Sequence, residues 1–73
     1  MYDDTKIEEI VLALFGAFEF ENGRVWKQID FDVMNSLRKK GYVFNPYNKS
    51  KSIQLTAEGL TKAKEFAEKH LRQ

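Results

Sequence analysis

The chain contains no cysteine, so no disulfide can brace it and no thiolate can hold a metal. The default address of such a protein is the cytoplasm. A single histidine, His70, near the C-terminus, has no second histidine or cysteine with which to complete a metal shell. No metal and no cofactor are therefore expected. The four glycines, at 16, 23, 41 and 59, match no phosphate-cradling loop. Long apolar runs are missing too: Ile10–Phe18 spans nine residues, against about 20 for a membrane span. Asp3, Asp4, Glu8 and Glu9 precede that run in place of the basic flank of a secretory signal, so a cytoplasmic protein with no membrane partner is expected.

Nucleophilic and acid–base chemistry also lack support. Ser36, Ser50 and Ser52 have no base at a recognisable spacing. Asp30 and Asp32 are two residues apart and diverge on a helix, so they form no carboxylate dyad. The expectation is a protein that binds and does not catalyse.

With 73 residues the chain makes one domain, 1–73, and buries only about 60% of the surface its unfolded form exposes. Six Phe, three Tyr and one Trp offset the small size with bulky side chains. Trp26, Phe31, Tyr42 and Phe44 are assigned to the core, with Trp26 and Ile29 pinning the segment between the first two helices.

The near-neutral total charge conceals an uneven distribution. Residues 1–35 carry eight acids and three bases; residues 36–73 carry nine bases and three acids. From Arg38 to Lys51 there are five bases and no acid. This pattern points either to a polyanionic partner for the second half or to a solvated surface.

Three helical segments follow from periodicity and capping. Thr5 is placed to cap the first, with Glu8 completing a capping box. Its stripe is Ile7, Ile10, Val11, Leu14 and Phe18, widened by Leu12 and Phe15 to about half the cylinder. So wide an arc belongs to a central helix or to one that also meets another subunit. Asn22-Gly23 serves as the helix stop or as a two-residue hairpin turn; the apolar rhythm running on into Phe18 favours the stop.

Asp30 caps the second helix, 30–40, which buries Val33, Met34 and Leu37 and stops at Gly41. Tyr42-Val43-Phe44 and Ser52-Ile53-Gln54-Leu55 read as paired strands around a turn rich in Asn, Pro and Ser. Thr56 caps the last helix, whose inner face is Leu60, Ala63, Phe66, Ala67 and Leu71. Ala63 and Ala67 are small enough to let another element approach closely.

Taken together, Leu37-Arg38-Lys39-Lys40-Gly41-Tyr42, the hairpin, and Leu55-Thr56-Ala57-Glu58-Gly59 resemble winged-helix regulators. The resemblance implies an α+β, winged helix-turn-helix-like fold with three main helices and a two-stranded β-hairpin wing. A full winged helix carries a further helix before the recognition helix; here it is shortened or missing, because only Arg24 to Ile29 is available. With Val11-Leu12-Ala13-Leu14, Arg24-Val25-Trp26-Lys27 and Asp30-Phe31-Asp32, the whole chain is more closely similar to a small uncharacterised bacterial family of single-domain proteins. That similarity implies a fold and carries no activity.

Two functions are expected in parallel. The first is a DNA-associated transcriptional regulator that places helix 30–40 in the major groove and wing 45–52 on the backbone. Its contacts would be Asn35, Ser36, Arg38, Lys39 and Lys40 on the helix, and Tyr47, Lys49, Ser50 and Lys51 on the wing. The alternative is a protein-interaction module that has lost DNA binding. It would form a homodimer or receive a partner helix through Leu12, Phe15, Phe18 and Phe20, with Trp26 beside them.

Overall fold

The computed structural model describes residues 2–27 and 30–73. The elements run α1 (Asp4–Phe18), β1 (Arg24–Trp26), α2 (Phe31–Lys39), β2 (Ser52–Gln54) and α3 (Ala57–Leu71). This is an α+β fold with three helices and a two-stranded antiparallel sheet, compatible with a winged-helix-like arrangement. Arg24–Trp26 is strand, not a helical turn. The anchoring expected of Ile29 lies outside the described residues.

α1 starts two residues earlier than the Thr5 cap would place it. Asp3 is the cap, its carboxylate accepting from the amides of Thr5 (2.9 Å) and Lys6 (3.3 Å). A carboxylate at the positive end of the helix dipole caps more strongly than a hydroxyl.

The helix buries Leu12, Ala13, Phe15 and Gly16. A β-carbon on Gly16 would lie 2.3 Å from the Ala63 carbonyl oxygen and 3.1 Å from Ala67 Cβ. The small residues on α3 thus allow the close approach anticipated for them, with Leu12 and Phe15 buried in the adjoining core. This contact settles which half of the wide apolar arc faces inward. The stripe Ile7, Ile10, Val11, Leu14 and Phe18 is turned outward: Ile7, Ile10 and Phe18 are exposed, with Val11 and Leu14 half-buried.

After Phe18 the chain reverses sharply. Phe20 and Arg24 exchange both backbone hydrogen bonds at 2.8 Å around a turn in which Glu21, Asn22 and Gly23 all have positive φ (48°, 61° and 99°). Asn22-Gly23 is therefore a hairpin turn and not the helix stop. The Glu19 carboxylate accepts from the Gly23 amide at 2.8 Å, and the Gly23 carbonyl accepts from Leu55 N–H at 2.8 Å, which holds the turn against the sheet.

β1 pairs antiparallel with β2 in the register Arg24↔Gln54, Val25↔Ile53, Trp26↔Ser52. The partner expected for 52–55, Tyr42-Val43-Phe44, contributes a single bridge, Val43↔Leu55, and a bond from Phe44 N–H to the Gln54 carbonyl at 3.1 Å. The pleat sends alternate residues to opposite faces. Val25, Val43, Ile53 and Leu55 enter the core, so Trp26 and Phe44 must point outward, at 60% and 56% exposure. Phe31, in the first turn of α2, also stays partly outside. Of the four aromatics assigned to the core, only Tyr42 packs against it.

The two motifs that carried the resemblance interlock. α2 ends with paired bonds from Tyr42 N–H to Leu37 O (3.0 Å) and from Gly41 N–H to Arg38 O (2.9 Å), a Schellman closure. Thr56 Oγ1 donates to the Gly41 carbonyl at 2.6 Å and accepts from Gly59 N–H at 2.9 Å. The Tyr42 carbonyl in turn accepts from Thr56 N–H at 3.0 Å. This knot joins the end of α2 to the start of α3 and so positions the face that α2 presents.

Candidate nucleic-acid interface

The charge split between the halves is partly consumed inside the fold. Glu8 on α1 pairs with Lys40 at 2.5 Å, Glu19 with Lys64 at 3.2 Å, and Glu9 with Lys69 at 3.5 Å and His70 at 2.8 Å. The hydrogen bond from His70, with help from Lys69, lowers the Glu9 pKa below its ordinary value. The Gly23 amide, then Lys64, does the same for Glu19. Lys62 and Arg72 are held by Glu65 and Glu68 within α3. Among the described residues, the second-half bases without an ion pair are Arg38, Lys39, Lys49 and Lys51, all exposed. These are four of the sites expected to meet nucleic acid.

The wing loop is bound to the helix that precedes it. Asn35 donates its side-chain amide to Tyr47 Oη, and the Tyr47 ring stacks on Phe31 with centroids 5.4 Å apart. At about 100° per residue, Phe31 and Asn35 share a stripe of α2 with Arg38 and Lys39, opposite buried Leu37. The far side of the loop is tied to the residue that follows β1, where Lys27 Nζ donates to the Asn48 carbonyl (2.8 Å) and Oδ1 (3.0 Å). Inside the loop, Asn45 Oδ1 accepts from Tyr47 N–H at 2.9 Å and Asn48 Oδ1 from Ser50 N–H at 2.9 Å. Pro46 is buried. Lys49 and Lys51 thus leave a fixed loop docked on the outer face of α2.

The other candidate residues are deployed differently. Asn35 and Tyr47 engage each other, the amide donating to the phenol oxygen while the ring lies on Phe31. Lys40 is turned to Glu8 on α1. Ser50 Oγ accepts from Ser52 N–H (3.1 Å) and lies 3.0 Å from Ser52 Oγ, which also takes Arg24 Nη1 at 2.8 Å. Ser50 therefore organises the loop base. Ser36 is half-buried and lines a groove with Asp4, Glu8, Asp30 and Asp32, an acidic setting unsuited to phosphate.

Of the expected partner surface, Leu12 and Phe15 are 2% exposed and belong to the core. Phe20 is half-buried, with its ring 5.1 Å from that of Trp26. Only Phe18 stands on the surface, 70% exposed. The Tyr47 latch was not anticipated. Its one sequence signal is the Asn45-Pro46-Tyr47-Asn48 run, whose asparagines close local side-chain turns.

Residues 3–73 match the family described as Domain of unknown function (DUF6429). The chain belongs to this family. It is 38% identical over 64 residues to "Uncharacterized protein y4hR" of Sinorhizobium fredii (strain NBRC 101917 / NGR234), covering 88% of this chain and 86% of that relative. No solved structure matches the chain significantly. Among the described residues of this DUF6429 member, no helix is long and apolar enough to cross a membrane.

Proposed function

We propose that this protein is a small, non-enzymatic DNA-associated regulator of the cytoplasm that grips the phosphate backbone of duplex DNA. The grip comes from Arg38 and Lys39 on α2 and from Lys49 and Lys51 on the docked wing loop. The observation that carries the reading is the distribution of ion pairs: other second-half bases have an acidic partner, while these four lie on α2's outer end and the adjoining loop. Backbone contacts of this type supply most of non-specific DNA affinity. The N-terminal end of α2 is acidic, with Asp30 as its cap and Asp32 in the first turn, so its C-terminal half faces the phosphates. With Asn35 engaged by Tyr47, base reading is secondary to backbone contact.

The double substitution Arg38→Glu/Lys39→Glu tests this in a fluorescence anisotropy titration with a labelled random duplex. Both side chains are exposed, so the fold should persist. The expected result is loss of affinity by at least about tenfold, since several phosphate contacts become repulsive. Unchanged affinity would remove the main support for the reading.

A further inference from the structure

The outer face of α1 carries an apolar stripe that no other described residue covers. Tyr2 is 90% exposed, Ile7 37%, Ile10 42% and Phe18 70%, with Val11 and Leu14 half-buried between them. At about 100° per residue these α1 positions fall within one arc, opposite the Gly16 seam that meets α3. We propose that this stripe is a self-association surface and that its occupant is a second copy of the chain, packed antiparallel across a two-fold axis. The proposal is independent of the nucleic-acid reading.

Three observations select a second copy. The first is shape. At the N-terminal end of the stripe, Tyr2, Lys6, Ile7, Ile10 and Val11 line a shallow hollow of about 390 Å³. At the C-terminal end, Phe18 stands out from the helix. An antiparallel copy centred at the level between Leu12 and Ala13 brings Phe18 of each protomer level with Ile7 of the other. Each Phe18 then enters the partner's hollow, the self-complementary pairing that a two-fold interface requires.

The second observation is area. The two aromatic side chains and the isoleucines expose about 400–500 Å² of apolar surface, taking about 150–250 Å² for a whole aromatic side chain. A standard interface covers about 800 Å² per partner, and homodimer interfaces are about 65% apolar. The stripe is therefore close to the apolar area of a standard-sized interface, about 450–520 Å² per partner.

The third is charge. From Ile10 to Phe18 α1 has no charged residue. Glu8 and Glu9 are drawn to Lys40 and to Lys69 and His70, off the stripe. Asp3 and Lys6 border the hollow with opposite signs. Nothing on the face repels its own copy.

Sedimentation equilibrium on the full chain over a wide concentration range tests the proposal. The expected result is a mass rising from 8.6 kDa towards twice that value. Phe18→Ser and Ile7→Glu should each weaken association at least tenfold, and Phe18→Ser should retain the parent circular dichroism because the ring is largely in solvent. Phe44→Ser, which removes an exposed aromatic from another part of the surface, should leave association unchanged. A single mass of 8.6 kDa at every concentration would overturn the proposal. So would a dimer that tolerates both stripe substitutions, or one weakened equally by Phe44→Ser.

Discussion

The Tyr42 carbonyl oxygen lies 1.8 Å from the position a β-carbon on Gly59 would occupy, so the backbone that leaves α2 rests directly on the first turn of α3. In an ordinary helix interior, glycine to alanine stabilises by about 1 kcal/mol. Here the sign reverses. Gly59→Ala should cost about 3 kcal/mol or more through backbone overpacking. Gly16→Ala, which meets the Ala63 carbonyl at 2.3 Å, should cost a similar amount. Gly41→Ala has open space but a φ of +81°, and should cost only about 1–2 kcal/mol. Chemical denaturation of the three variants checks the ranking, and a neutral Gly59→Ala would contradict the close approach.

Large aromatics divide sharply by position. Phe15→Ala empties a buried site in the core and should cost about 3–5 kcal/mol. Trp26→Ala removes a ring that is 60% exposed and touches Phe20, so its cost should be about 1 kcal/mol. Equal losses in thermal melts would place Trp26 in the core after all.

Acid should unpick the contacts between α1 and the rest of the fold. The carboxyls of Glu9 and Glu19 are both held below their ordinary value of 4.5. Each ionised group thus adds stability that is fully present above pH 4.5 and is lost as pH falls through the depressed folded value. Glu19→Gln should be less stable than the parent at neutral pH, with the gap closing below pH 4.5. A gap that stays constant across that range would show that ionised Glu19 is not what holds the Gly23 turn.

Tyr47 is the latch between wing loop and helix. Tyr47→Ala should cost about 1 kcal/mol of stability through the lost Phe31 stack. It should also weaken DNA binding several-fold, because a loosened loop must be ordered on binding. The salt dependence should not change, since Lys49 and Lys51 remain. Unaltered affinity would mean that the latch does not preorganise the basic surface.

The helices were readable from the sequence because their signals are local: Asp30, Thr56 and Gly41 act within a few residues of their own positions. The orientation of α1 was not readable. Its apolar arc is wide enough for either half to face inward, and the choice rests on Gly16 meeting Ala63, residues 47 positions apart. The same limit applies to Trp26 and Phe44. Their hydrophobicity suggested burial, whereas the pleat had already assigned the inward positions to Val25 and Val43. For the candidate site, the basic residues were legible, but which of them would be neutralised was not. Lys40 and Arg38 look equivalent in the sequence until α1 brings Glu8 to one of them.

The most direct test of the basic surface is a salt titration of binding to a random duplex, followed by fluorescence anisotropy. Four phosphate contacts, from Arg38, Lys39, Lys49 and Lys51, predict a slope of about −3.5 in log K against log salt concentration. Affinity should then fall by about 10²-fold between 50 and 200 mM salt. No binding at low salt, or binding with a slope near zero, would contradict the account.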